Sequence, residues 1–293
     1  MRPADRSLGL SVGNRLTTMD VSVRWDLVTE VLRSEWADVG GRHMHARVSA
    51  RALPPDAPVV VLVHGIGVSS RYMVPTAIEL AATCKVYAPD LPGFGLSAKP
   101  SQILDVPALA DALAAWMRAL RLAHAVLVGN SFGCQIIAEL GVRHPALIAR
   151  AVLQGPTIDP RARSAPRQIL RWALNSPFEP AGAWTSLGSV VRQDYRDAGV
   201  RRVLKTFRHA LSDRIEDKLP RLQAPTLVVR GARDPIVPQR WAEEAARLLP
   251  RGRLVVVPGA AHTMCFTSPN EFAHVVRPFL EEDRRPSGAL GTG

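Results

Sequence analysis

The stretch 127-LVGNSFGCQ-135 sets Ser131 between Gly129 and Gly133, where an apolar run gives way to a helical pattern. A serine so placed is either a small residue in a tight turn or a nucleophile at a strand-to-helix corner, and the flanking segments decide between the two. Upstream, AVLVG (125–129) reads as a buried strand. Downstream, FGCQIIAELGVRH (132–144) carries apolar residues at three- and four-residue spacing, the mark of a helix with one face in a core. The same alternation recurs outward in both directions. VVVLV (59–63), KVYAP (85–89), AVLQG (151–155), TLVVR (226–230) and LVVVP (254–258) read as further buried strands. VPALADALAAWMRALRL (106–122), QRWAEEAARLL (239–249) and SPNEFAHVVRPFLEE (268–282) read as helices, the last with Ser268 as N-cap and Pro269 at N1. This order predicts an α/β fold with a mostly parallel sheet covered by helices on both faces. GGRHMHARVSARAL (40–53) alternates and reads as an antiparallel hairpin at the sheet edge, which brings the expected strand count to eight.

One region breaks the rhythm. From Thr157 to Pro220 no strand pattern appears, segments such as RRVLKTFRHALSDRIEDKL are helical, and Trp172, Phe178, Trp184 and Phe207 are interspersed with prolines. The strand pattern then resumes, so this region reads as a helical lid inserted after the sixth strand. The expected organisation is an N-terminal extension over 1–36, partly helical through 19–36, then core over 37–156, lid over 157–220, core again over 221–282, and a mobile tail over 283–293.

The 293 residues carry 47% hydrophobic and 22% charged side chains, an ordinary composition for a globular chain. The net charge of +11 is spread over arginines in every segment, with only four lysines and no aromatic-interleaved basic stripe, which argues against a nucleic-acid partner. Cys84, Cys134 and Cys265 are too few and too widely spaced for a disulfide framework or a zinc site, and a reducing cytoplasm is the expected home. No run reaches the roughly 18 apolar residues of a membrane span, so no membrane partner is expected. No histidine pair has metal-ligand spacing on a helix, and PGFGLSAK lacks the third glycine and the later acid of a dinucleotide-binding loop. Neither metal nor cofactor is expected, and the chain is read as a monomer or homodimer.

Three chemically competent residues fall in loops after predicted strands: Ser131, Asp234 in RGARDPIVP, and His262 in VPGAAHTM. All three therefore lie at the carboxyl edge of one parallel sheet, where open α/β folds bind ligands. A serine hydroxyl needs an imidazole to take its proton, and the imidazole needs a carboxylate on its other nitrogen to hold the tautomer. A tetrahedral oxyanion needs donors aimed at it, and the backbone N–H groups of Phe132 and of Ile66 in VHGIGVSS are the candidates.

At this point the chain resembles the serine α/β-hydrolase-fold superfamily. The resemblance rests on the HGIG loop, the GNSFG elbow, YAPDLPGFGLSAKP (87–100), APTLVVRGARDPIVP (224–238) and the order Ser, Asp, His, and runs from about Gly40 to Leu280. It implies a cofactor-free hydrolase of small, largely apolar carboxylic esters with Ser131 as nucleophile, His262 as base and Asp234 as its partner (EC 3.1.1). Carbon–carbon hydrolysis of the meta-cleavage-product type (EC 3.7.1) is the alternative, although that subfamily carries Pro-Gly and tryptophan where this chain has Val68-Ser69 and Thr263. A slowly turning ligand sensor is another. The haloalkane dehalogenases and epoxide hydrolases, similar in loop and lid, carry aspartate at the elbow, and Ser131 argues against both. Asp159 in GPTIDP competes with Asp234 for the acid position, since some members carry it one strand earlier. Asp90 reads as a brace of its loop, His64 as support for the oxyanion loop, and His43 and His45 as neighbours on one face of an edge strand. Gly67, Trp172 and Trp184 are the candidate pocket residues, while Arg192 and Arg196 are the cations that carbon–carbon chemistry would use.

Overall fold

The computed structural model describes residues 25–180 and 183–282. Eight strands form one sheet: β1 (Leu32–Asp38), β2 (His43–Ser49), β3 (Val59–Val63), β4 (Lys85–Pro89), β5 (Ala125–Asn130), β6 (Ile148–Gln154), β7 (Thr226–Gly231) and β8 (Gly252–Val257). Their spatial order is β1-β2-β4-β3-β5-β6-β7-β8, with β1 and β2 antiparallel to their neighbours and every other pair parallel. Each apolar run read from the sequence is a strand within a few residues of its expected limits.

Strand alternation divides the core into two layers. Val61, Val63, Leu127, Leu153 and Val228 face one side of the sheet and pack with α3 (Val106–Ala119), α4 (Phe132–Arg143) and α9 (Gln239–Leu248). Val60, Leu62, Val128, Val152 and Val229 face the other, with α1 (Trp25–Val31), α2 (Ser70–Leu80) and α11 (Pro269–Leu280), and with the short α10 (Met264–Thr267). Burial on both faces is why these strands read as continuous apolar runs. Between β6 and β7 lie α5 (Ala165–Asn175), α6 (Ala183–Ala198), α7 (Val200–Ser212) and α8 (Ile215–Lys218), in the region expected to be helical.

Two local expectations are corrected, one is met in position only, and one helix had no reading in the sequence. The helix expected over 19–36 gives way at Leu32 to β1, whose backbone pairs residue by residue with β2, so the boundary drawn at 36/37 cuts a strand. Cross-strand pairing here outweighs the helical look of a short charged segment; residues 19–24 of that expectation lie outside the described residues, as does the tail over 283–293. The edge hairpin consequently spans 32–49 rather than 40–53, turning at Gly40 and Gly41, both at positive φ (59° and 78°). Ser268 does occupy the N-cap position of α11 with Pro269 at N1, but its side chain makes no capping hydrogen bond. Finally, α2 was not expected, because Pro75 interrupts its pattern; it is started by Ser69, whose Oγ accepts from Arg71 N–H at 3.2 Å.

The polarity of α5 is inverted. Its buried residues are Gln168 and Asn175, while Ile169, Leu170, Trp172 and Leu174 are exposed. The inward contacts are polar. Gln168 donates to the Ala162 carbonyl at 2.8 Å, and Arg171 donates to Asp159 and to the Ile236 carbonyl.

The loop after β4 is braced as expected. Asp90 is buried and accepts from Ser70 N–H (2.6 Å), Leu96 N–H (2.8 Å) and His45 Nδ1 (2.9 Å). Burial works against its charge, but these donors win and hold the carboxyl below its usual value.

Helix α4 passes so close to the sheet that a Cβ on Gly133 would stand 2.3 Å from the Val63 carbonyl oxygen. Gly133→Ala should therefore destabilise the protein by about 3 kcal/mol in urea unfolding. Gly188→Ala, within α6 where an added Cβ meets nothing within 4 Å, should stabilise it by about 0.5–1 kcal/mol.

Candidate active site

Ser131 sits between the end of β5 and the first turn of α4 with φ 55° and ψ −114°, one of three non-glycine residues at positive φ among those described. That backbone is costly for a residue with a Cβ, and it survives because its surroundings leave no alternative. Ser131 N–H donates to the Gln154 carbonyl at 2.9 Å, and Cys134 N–H to the Ser131 carbonyl at 3.0 Å. A Cβ on Gly129 would lie 2.7 Å from Ile137 and 2.9 Å from Gly133, so both glycines of the elbow are there for close passage. The turn thus presents the side chain of residue 131 at the carboxyl edge of the sheet.

Asp234 and His262 meet at the same edge. His262 Nδ1 donates to Asp234 Oδ2 at 2.7 Å, and Asp234 Oδ1 accepts from Ile236 N–H (2.8 Å) and Val237 N–H (3.0 Å), so the carboxylate is held on both oxygens. Arg230 ties down the same loop, donating to the carbonyls of Val237 (2.6 Å) and Asp234 (3.1 Å). Burial of the imidazole disfavours its charged form, but the Asp234 charge and hydrogen bond outweigh burial and raise its pKa above 6.5. The Ser131 turn and the His262 loop share a tether. Gln154 takes the Ser131 N–H on its carbonyl and gives its side-chain N–H to the His262 carbonyl at 3.0 Å; Asn130 reaches that carbonyl at 3.4 Å and also donates to Gln154 Oε1.

The HGIG loop is fixed by a neutral histidine. His64 Nε2 accepts from Leu91 N–H at 3.1 Å, which leaves the proton on Nδ1, where it is given to the Gly65 carbonyl at 2.8 Å. Burial lowers the His64 pKa, keeping the ring uncharged. A Cβ on Gly65 would stand 3.0 Å from Asn130 Oδ1 and 3.6 Å from Ser131 Cβ, so this loop lies directly against the elbow. Ile66 is half-buried beside it, and Phe132 opens α4, where a first-turn N–H has no intrahelical acceptor.

The sequence profile of the alpha/beta hydrolase family matches residues 60–275. The chain belongs to the alpha/beta hydrolase family. Similar curated proteins include a haloalkane dehalogenase of Mycobacterium marinum, 32% identical over 213 residues that cover 63% of this chain and 71% of the dehalogenase. Another is a pimeloyl-[acyl-carrier protein] methyl ester esterase of Neisseria meningitidis, 28% identical over 262 residues, 81% of each chain. The crystal structure of an E-2-(acetamidomethylene)succinate hydrolase aligns with a TM-score of 0.70 at 24% identity, covering 85% of this chain and 99% of that one, a likeness of fold.

Asp159 is no partner of His262: it is buried between Arg240 and Arg171, with both oxygens engaged by Arg240. Gly67 is at φ 74°, and a Cβ there would meet the Tyr195 ring at 2.6 Å, so Tyr195 of α6, which sequence reasoning missed, lies over the HGIG loop. Trp172 is 57% exposed, so the wall it was expected to form is open to solvent. The side chain of Trp184 lies outside what is described, and Arg192 and Arg196 are exposed. Gly155 was also missed; at φ 59°, with His262 Cε1 2.9 Å and Asp234 Oδ2 3.4 Å from where a Cβ would be, it makes room for the pair. No group of three metal-ligating side chains occurs among the described residues, nor does any helix long and apolar enough to cross a membrane.

Proton NMR of the imidazoles tests the pairing directly. His262 should titrate above 6.5, Asp234→Asn should bring it down, and Asp159→Asn should leave it in place. Because the folded value is the raised one, the pair stabilises the fold in full below pH 6.5, and that contribution is lost as pH rises through the folded value.

Proposed function

We propose that this alpha/beta-hydrolase-family hydrolase is a serine esterase of small, largely apolar carboxylic esters, working through an acyl-enzyme. The observation that carries the reading is the His262–Asp234 hydrogen bond at 2.7 Å, because it occupies Nδ1 and leaves Nε2 as the basic nitrogen for the Ser131 hydroxyl. Ser131 Oγ attacks the ester carbonyl while its proton passes to His262 Nε2. The imidazolium, held by Asp234, then protonates the departing alkoxide. Water repeats the cycle: it gives a proton to His262, its oxygen joins the acyl carbon, and Ser131 Oγ leaves and recovers its hydrogen. The oxyanion formed in each half is received by the N–H groups of Ile66 and Phe132.

A neutral acyl group fits the uncharged side chains on and over the HGIG loop, Ile66 and the Tyr195 ring. Residues 157–220 act as the lid, with Tyr195 as its contact over the HGIG loop. The similarity to a methyl ester esterase agrees with ester cleavage, and Ser131 at the elbow turns the chemistry away from the aspartate-bearing dehalogenases. Arg192 and Arg196, the cations that carbon–carbon hydrolysis would recruit, are exposed.

A p-nitrophenyl acyl series from acetate upward should give rapid turnover with a maximum at short to medium chains. Ser131→Ala should lose at least about 10⁴-fold in kcat with the fold intact. One fluorophosphonate should label each chain, at Ser131. A Ser131→Ala protein that labels equally and keeps its rate would refute the nucleophile.

A further inference from the structure

Beyond the triad a second carboxylate is buried close to His262. Glu179, 6% exposed, follows α5 in the excursion between β6 and β7. Its Oε1 accepts from Thr263 N–H at 3.0 Å and from the Asn175 side-chain amide at 2.7 Å; its Oε2 accepts from Thr267 Oγ at 3.0 Å. Asn175, 3% exposed, turns its Oδ1 to the His262 N–H at 3.2 Å. Every backbone polar group from the His262 N–H to the Thr263 N–H is thus held by a side chain. The sheet side supplies Gln154 and Asn130 to the His262 carbonyl, and the excursion supplies Asn175 and Glu179 to the two amides.

The α5 segment has no apolar inward face to seat it, since its apolar residues point outward and its inner contacts are hydrogen bonds. Its position therefore depends on a small polar set in which Asn175 and Glu179 are central. We propose that Glu179 and Asn175 are positioning residues that couple the seating of the excursion to the alignment and protonation of His262, so that the base is set only when this segment is docked. The inference rests on His262 being the general base.

Two properties follow. Unseating the segment frees the His262 and Thr263 amides, and a small misplacement of a catalytic base costs about 10²-fold in rate. The Glu179 anion also favours the imidazolium, adding to the effect of Asp234 against burial. Tyr72 of α2 and Cys265 of α10 are titratable neighbours of Glu179 on this side. Burial lifts the phenol well above its ordinary value and the thiol to about 12, so both are neutral at assay pH and the carboxylates set the local field.

The test uses the full chain with Glu179→Gln, which keeps size and one acceptor but removes the charge. Thr267→Val is the companion variant; it removes one hydrogen bond to Glu179 and leaves the charge. Glu179→Gln should lower kcat by about 10- to 100-fold with a smaller change in KM, and should move both the His262 NMR titration and the acid limb of kcat/KM to lower pH. Thr267→Val should lower kcat less and leave the titration in place. If Glu179→Gln folds, and neither kcat nor the His262 titration moves, the proposal is overturned even though the esterase stands. If Glu179→Gln does not fold, a Thr267→Val protein with unchanged kcat overturns it. Wild type that neither turns over esters nor labels with fluorophosphonate defeats the functional reading instead, while the NMR titration still reports on Glu179.

Discussion

The approach of α4 to the ends of β3 and β5 constrains everything at the carboxyl edge of this sheet. With Gly133 packed on the Val63 carbonyl and Gly129 packed on Gly133, the chain has no room to leave β5 gently. It turns within one residue, and that residue, Ser131, takes the positive φ. The strain is local, but it is maintained globally, by the two apolar layers that press strands and helices together. The turn at Ser131 is held firm because the core beneath is close-packed.

Two buried histidines flank this turn and are treated oppositely. His64 faces a backbone carbonyl and a backbone N–H, so burial prevails and the ring stays neutral. His262 faces Asp234 with Glu179 nearby, so charge prevails over the same desolvation and the ring is made more basic. The neighbours, not the depth, decide which histidine is structural and which can carry a proton. His45 illustrates a third use: it spans Asp90 and Ser34, pinning the edge hairpin to the loop after β4.

Features with a local period were legible in the sequence. The parallel strands are unbroken apolar runs, and the three loop residues Ser131, Asp234 and His262 could be placed at one sheet edge from strand order alone. Elements whose pattern is ambiguous were not. Strand β1, LRSEWAD, owes its state to pairing across the edge, and α2 is obscured by Pro75. Asp234 was preferred to Asp159 on the match of its segment to the family, whereas the arginines that fold over Asp159 leave no spacing to read. Asn175 and Glu179 meet the His262 loop across more than eighty residues of chain, a polar contact with no local signature. The 157–220 region was legible as a break in the strand rhythm, but which face of α5 turns inward was not, and Trp172, a candidate pocket residue, stands on its exposed side.

The three thiols lend the site a chemical privacy. Cys84, Cys134 and Cys265 are all buried. Cys134, three residues beyond Ser131, shares its S–H between the carbonyls of Gly129 and Gln154, and burial raises its pKa well above that of an ordinary thiol. Cys265, three residues past His262, is raised to about 12. Thiolate is the form that electrophiles and peroxides attack, and at neutral pH these two residues offer almost none. Sulfur beside this sheet edge is therefore buried and protonated, a poor target for oxidants and alkylating agents.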